Sequence, residues 1–288
     1  VAVTALMSGL LTKIGVYGIF RVYAVVYGGD EALRTPWLVI LLATMVVGVL
    51  GALGESTMRS ILSLHMTSQV GYILLPIAFF GELGLTAGIF YLIHHIIVKA
   101  SLFLSCGTVE HDAGTGRLSR LGGTARREPW LALIFIGAAL SLVGIPPFSG
   151  FVAKLTLVRS AVLEGQMLAA GFVVAVSLFT LLSMLKIWNG AFWGADPEPG
   201  PDALPRRYAS ATLPDVTDPS AETLRPASHA TATRRPDRIP RRLLAPAAVL
   251  TLASLSIGLG AQVLLGLAGT AAAGLVDPSA YVTAVTGS

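Results

Sequence analysis

A single cysteine, Cys106, stands in 288 residues, so this chain can build neither an internal disulfide nor a thiolate metal cluster. Charge is scarce too: 12% of residues are charged, against about a quarter in an ordinary soluble domain. There is no phosphate loop, no nucleotide fingerprint and no flavin motif, so neither a cofactor nor covalent catalysis is expected. The basic residues behind the formal charge of +4 are scattered over loops, without the aromatic interleaving of a single-strand binder, which argues against nucleic acid as a partner. No charged leader or small-residue cleavage site precedes the first apolar residues. The numbering is therefore read as starting inside a longer protein.

Apolar surface is what the chain has in abundance. Hydrophobic residues make up 54% of it and mean hydropathy is +0.74. The runs 83–109, 130–147 and 167–193 are long enough, at about 1.5 Å per helical residue, to cross a hydrocarbon layer of about 30 Å. A soluble enzyme is excluded. Apolar runs bounded by Gly, Pro and charge give about eight spans, at 3–27, 37–54, 58–80, 83–107, 130–147, 150–164, 167–193 and 243–272. The reading is an all-α polytopic membrane protein: a transmembrane core over 1–193, a Pro- and Arg-rich connection over 194–242, and a final helix and tail over 243–288. The connection has no apolar periodicity and is expected to be disordered.

Loop parity puts Arg34 and the eight arginines of 194–242 on one side, with Arg117, Arg120, Arg126 and Arg127 on the other. The count makes the long connection cytoplasmic, as in a multi-pass protein of a bacterial inner (plasma) membrane. The 108–128 loop, with its Gly122-Gly123 pair, reads as a solvated connector.

Lysine is confined to the spans. The four lysines, Lys13, Lys99, Lys154 and Lys186, all lie in apolar stretches, while sixteen arginines supply the other positive charge. A GC-rich genome would deplete lysine everywhere, spans included, so codon bias does not explain this placement. Burying an ammonium near the membrane midplane costs roughly 2.5 to 3.5 kcal/mol on insertion scales. Lysine can lose its proton when desolvated, whereas guanidinium stays charged, so such groups can serve as relay stations. The competing explanation is snorkelling to the headgroups, which fits Lys186, close to Trp193, better than the other three. Asp and Glu sit in loops or at span ends (Glu55, Glu82, Glu164). Unpaired buried charge is expensive, so a partner acid is expected from an earlier segment or from another subunit.

Two lysines stand beside sequences that disfavour a regular helix. Around Lys13 the run is Lys13-Ile14-Gly15-Val16-Tyr17-Gly18, and ahead of Lys154 comes Gly144-Ile145-Pro146-Pro147-Phe148-Ser149-Gly150. A double proline removes two backbone donors, and irregular backbone in hydrocarbon survives where it lines a polar cavity. Interrupted spans beside a titratable group point to a transporter's ion site, although packing alone accounts equally well for Gly15 and Gly18. The fourth span carries His94, His95 and Lys99. His95 and Lys99 are four apart and share a helix face, where an imidazole beside an amine makes a proton-transfer pair. A zinc site is a poor alternative, because no Cys or acidic ligand lies at that depth. His94, on another face, reads equally well as a hydrogen-bonded packing residue. His65, Ser68 and Gln69 in the third span add polar groups that can bind water or a neighbouring helix.

These segments resemble the proton-conducting antiporter-like subunits shared by respiratory complex I and the multisubunit Mrp-type sodium/proton antiporters. The resemblance is carried by residues 10–18 (LLTKIGVYG), 63–72 (SLHMTSQVGY), 94–104 (HHIIVKASLFL) and 144–154 (GIPPFSGFVAK). The tail from Asp277 to Tyr281 is similar to the end of one Mrp subunit. The resemblance implies a fourteen-helix fold with two inverted repeats, each containing a broken helix, of which this chain is the C-terminal part. It further implies that Lys13 belongs to the first broken helix, His95 and Lys99 to the central hydrophilic axis, and Lys154 to the second broken helix. An essential glutamate paired with the Lys13 position belongs to an earlier helix. Arg59 occupies a position where relatives often carry lysine, and since arginine hardly deprotonates it reads as a modulator, together with His65 and His94.

The expected function is water-linked proton transfer along Lys13, His95, Lys99 and Lys154 in a subunit of a cation (Na+)/proton antiporter, alongside other membrane subunits. At an effective dielectric near 20, charges about 8 Å apart interact by roughly 2 kcal/mol, enough for each transfer to alter the next. Two alternatives stay open. One is a proton-pumping subunit of an NADH-quinone oxidoreductase; the other is a structural scaffold whose lysines anchor helices or lipids.

Overall fold

The computed structural model describes residues 11–194, 239 and 241–287. The expected disorder of the 194–242 connection falls almost wholly outside the described residues, as does the start of the first span. Among the described residues the structure is helical, with one isolated backbone bridge between Thr57 and Arg117.

Helix α1 is Thr12–Val22 and runs into a π turn, Tyr23–Tyr27. A short 3-10 turn leads into α2, Arg34–Gly54, and α3 is Met58–Leu74, tightening to 3-10 over Leu75–Phe79 where Pro76 enters. Helix α4 is Glu82–Ala113, α5 Pro129–Val143, α6 Ser149–Leu163 and α7 Met167–Ile187. The chain closes with α8, Arg241–Leu259, α9, Ala261–Val276, and α10, Ser279–Thr286. Local chemistry sets several ends. The Thr57 hydroxyl accepts from the Ser60 N–H at the start of α3, Pro129 opens α5 where no helical donor is needed, and Gly114 ends α4 in the left-handed region at φ 72°.

Among the described residues, five stretches are long and apolar enough to cross a membrane: Glu31–Gly54, Met58–Phe79, Glu82–Ala113, Met167–Trp193 and Arg242–Leu259. Helices α5 and α9 are apolar but shorter; fifteen residues in α5 reach only about 22 Å. The outward residues are hydrocarbon-like, with Val39, Ile40, Val47, Leu133, Val174 and Leu178 more than half exposed. The interior holds Lys13, His65, His94, His95, Lys99 and Lys154. Apolar groups outside and polar groups within is the arrangement that lipid as solvent favours.

Helix α4 is the hub. It packs against α3, α5, α6, α8 and α9, and it buries Thr86, His94, His95, Lys99, Ser101, Ser105 and Thr108. It also runs six residues past the expected end at 107, so the supposed 108–128 loop begins as helix and contains a 3-10 turn at Leu118–Arg120 and a helical turn at Thr124–Arg127. The polar run Glu110-His111-Asp112 masks this extension in the sequence, because hydropathy fades before the helix stops.

Two interruptions break the helical lattice. The first is the expected one, Gly144 to Phe148 between α5 and α6. The second lies inside the stretch 243–272, expected as a single span, which divides at Gly260 into α8 and α9. The two breaks touch. A side chain at Gly258 would run into the backbone of Pro147, Phe148 and Ser149, so the missing Cβ is what permits the contact. Gly15 and Gly18, by contrast, lie within a continuous α1 with open space around them, and they mark no break among the described residues.

Candidate functional site

The buried polar side chains converge from four helices: Lys13 from α1, His65 and Gln69 from α3, His94, His95 and Lys99 from α4, and Lys154 from α6. Each is buried, the greatest exposure being 6% at Lys154. His95 lies within electrostatic range of Lys13, Lys99, His94 and His65. Residues far apart in sequence thus occupy one polar interior.

The amines have distinct surroundings. Lys13 Nζ donates to Thr12 Oγ1 at 3.1 Å. Lys99 Nζ has no hydrogen-bond partner among the described residues and sits 5.5 Å from the Phe103 ring centroid. Lys154 Nζ donates to the Val143 carbonyl at 2.8 Å and lies 5.0 Å from the Tyr72 ring centroid, a cation–π distance. The double proline explains the first of these contacts. In a continuous helix Val143 O would accept from the N–H of residue 147, but proline has none.

Two tyrosines carry the polar interior from Lys154 back to α4. Tyr72 stacks on Tyr91 with ring centroids 5.4 Å apart, and Tyr91 meets His94 edge-on at 5.5 Å. Tyr91 donates to Gln69 Oε1 at 2.6 Å, and Tyr72 to the Val173 carbonyl at 2.8 Å. His65 Nε2 bonds the Ser183 hydroxyl of α7. His94 Nδ1 bonds Ser149 Oγ at 2.8 Å, so the histidine expected as either a packing residue or a modulator is hydrogen-bonded across to α6. Its ring passes over Gly150, where a Cβ would strike His94 and the Ser141 carbonyl.

Six buried atoms in this interior lack a protein partner among the described residues: His65 Nδ1, Gln69 Nε2, His94 Nε2, both ring nitrogens of His95 and Lys99 Nζ. Buried polar atoms are normally satisfied. A cluster of them suits water or a mobile proton better than packing. Imidazoles donate and accept, and an amine can change its proton count, so the arrangement is competent for stepwise proton transfer. No group of three or more His, Cys, Asp or Glu is placed to hold a metal ion among the described residues.

Two basic residues singled out in the sequence lie elsewhere. Arg59 is outside the interior; its half-exposed side chain pairs with Glu110 beside a surface cavity of about 510 Å3 that His111 and Arg117 also line. Lys186 is partly buried. Its ammonium donates to the carbonyls of Leu53 and Glu55, each at 2.6 Å, closing the C-terminal end of α2. The second ion pair, Arg34 with Glu164 at 3.6 Å, also uses arginine at helix ends, and neither Lys99 nor Lys154 meets a carboxylate among the described residues. Sequence reasoning missed Ser141, Ser183 and Ser254, whose signal is weak because hydroxyls in apolar helices commonly bond their own backbone.

Fold and site together define a multi-pass helical membrane protein with a buried cluster of lysine and histidine side chains. The chain belongs to the NADH:quinone oxidoreductase/Mrp antiporter transmembrane family, whose model matches residues 1–180. It is 44% identical over 195 residues to the D subunit of the Na(+)/H(+) antiporter of Alkalihalophilus pseudofirmus, covering 67% of this chain and 39% of that protein. It is 33% identical over 285 residues to the protein of the same name in Bacillus subtilis, covering 99% of this chain and 51% of that protein. Among solved structures, a chain of the Mrp complex from Dietzia sp. DQ12-45-1b is 48% identical with a TM-score of 0.83, over 98% of this chain and 55% of that one. The chain thus spans about half the length of the curated relatives it matches. Relatives in Bacillus and apolar helices long enough to span agree on a multi-pass bacterial membrane protein.

Proposed function

We propose that this chain conducts protons within a subunit of a multisubunit cation/proton antiporter of the inner membrane, by transfer along Lys13, His95, Lys99 and Lys154, with Na+ as the exchanged cation. The observation that carries the reading is the cluster of six buried, unpartnered polar atoms around Lys99 and its histidines, because a purely structural core would satisfy or exclude them. The names of the relatives support the antiporter and the cation. The carboxylate that balances the lysines comes from a helix outside this sequence or from another subunit, as the absence of acids around Lys99 and Lys154 among the described residues suggests.

The test is transport by the assembled complex in vesicles with an imposed proton gradient and no electron donor. Cation exchange that disappears in Lys154→Ala supports the relay. Exchange that persists in both Lys154→Ala and Lys99→Ala leaves the scaffold reading. The shared family description also covers NADH:quinone oxidoreductase, and activity that requires an electron donor would assign the chain to that function instead.

A further inference from the structure

One group of buried polar side chains is not used by the relay. Ser254 of α8 bonds Ser141 Oγ of α5 at 2.6 Å and Ser149 Oγ of α6 at 2.8 Å. Ser149 continues to His94 Nδ1 on α4 at 2.8 Å. All three serines are buried, with 0% exposure. Four helices are thereby tied by one unbroken chain of hydrogen bonds, and it runs through the place where the two helix breaks touch. Contacts that Gly258 and Gly150 make possible bring the hydroxyls together.

A hydroxyl gives one hydrogen and can accept two, and in the continuous arrangements each linking serine accepts from one neighbour and donates to the next. The chain therefore has two polarities. In the first, Ser141 donates to Ser254, Ser254 to Ser149, and Ser149 to a bare His94 Nδ1, leaving the ring proton on Nε2. In the second, His94 Nδ1–H donates to Ser149 and the series runs the other way, leaving Nε2 as an acceptor. His94 Nε2 has no protein partner among the described residues and is the ring atom open to transfer. Lys154 lies one helical turn beyond Gly150, against which His94 packs, and Tyr91 and Tyr72 fill the way between.

We propose that Ser254, with Ser149 and Ser141, is a hydroxyl wire that fixes which ring nitrogen of His94 carries the proton and so sets whether His94 gives or takes in exchange with Lys154. The serines are positioning residues, and the proposal rests on the relay reading above. In these continuous arrangements the polarity of the wire and the tautomer of the neutral ring change together, and reversing both moves no net charge. The groups placed against His94 are Ser149 and Lys154 from α6 and Tyr91 from α4, with His95 within electrostatic range.

The experiment uses the full-length subunit in its assembled complex, with histidine labelled in 15N. Wild type shows one His94 Nδ1 signal, and Ser254→Ala shifts or splits it. Proton-coupled transport per assembled complex falls about tenfold, the size of one neutral hydrogen bond carried into a barrier. Ser254→Thr, which keeps the hydroxyl, restores both. If Ser254→Ala does not assemble, Ser141→Ala breaks the far end of the wire and gives the same shift in the signal. The proposal is overturned if the alanine variants assemble with the Nδ1 signal unmoved, or if Ser254→Thr fails as alanine does. A signal that moves while Lys154→Ala still transports would sink the relay reading and the exchange with Lys154, leaving only the wire's hold on the His94 tautomer.

Discussion

Lys154 donates its hydrogen bond to the carbonyl of Val143, 2.8 Å away, the acceptor left open because residue 147 is proline. The C-terminal end of a helix carries partial negative charge, so α5 offers the ammonium a diffuse counter-charge where no carboxylate stands among the described residues. This partner stabilises the cation without holding it as an ion pair would.

Lys154→Arg keeps the positive charge and can still reach a carbonyl, but guanidinium does not give up its proton. We expect the complex to assemble and its proton-coupled exchange to fall by about two orders of magnitude or more, the scale of a lost acid–base step. Near-normal exchange by this variant in vesicles would show that charge alone suffices at this position.

Lys99 behaves oppositely in stability. Its ammonium has no hydrogen-bond partner among the described residues, so Lys99→Leu removes a polar group that packing does not reward. Thermal stability of the purified complex is expected to stay at or above that of wild type while exchange is lost. A fall in stability comparable to the loss of a buried ion pair, about 3 kcal/mol or more, would mean that Lys99 has a structural partner.

Lys186 is expected to be structural. Its two 2.6 Å bonds to Leu53 and Glu55 carbonyls close one end of α2. Lys186→Ala should cost about 1.5 to 3 kcal/mol, the range for charge-assisted hydrogen bonds, read as a lower melting temperature. Exchange per assembled complex should stay within about twofold, well inside one factor of ten per 1.4 kcal/mol.

Gly258 allows the two helix breaks to meet. Gly258→Ala would press a methyl into the backbone of Pro147 and Phe148, and overpacking of this kind costs typically about 1 to 3 kcal/mol. Reduced assembly is expected. Gly15→Ala, with open space at its Cβ, should assemble as wild type, and a matching loss in both would show that the contact between the breaks is unimportant.

The residues that announce themselves in the sequence are those whose chemistry contradicts their surroundings. Lys13, Lys99, Lys154 and the three histidines stand out because a charge or an imidazole in an apolar run has to be accounted for. Pro146-Pro147 marks the first break for the same reason. The break at Gly260 is silent, since a glycine amid Leu, Ile and Ala changes hydropathy little and glycine is common in membrane helices. The serine wire is silent too. Ser141 and Ser254 are 113 residues apart, and only the fold shows that they meet. Closeness to Trp193 already sets Lys186 apart from the three buried amines in the sequence, but only the fold shows the two carbonyls it anchors to.

Every hydroxyl between Ser141 and His94 serves equally well as giver or receiver, and the imidazoles beyond share that evenness. A relay poised by such groups has no built-in sense of traffic, much as a copper wire has none. Rectification must then come from whatever holds its two mouths at different electrochemical levels, and reversing that difference should drive the same side chains backwards.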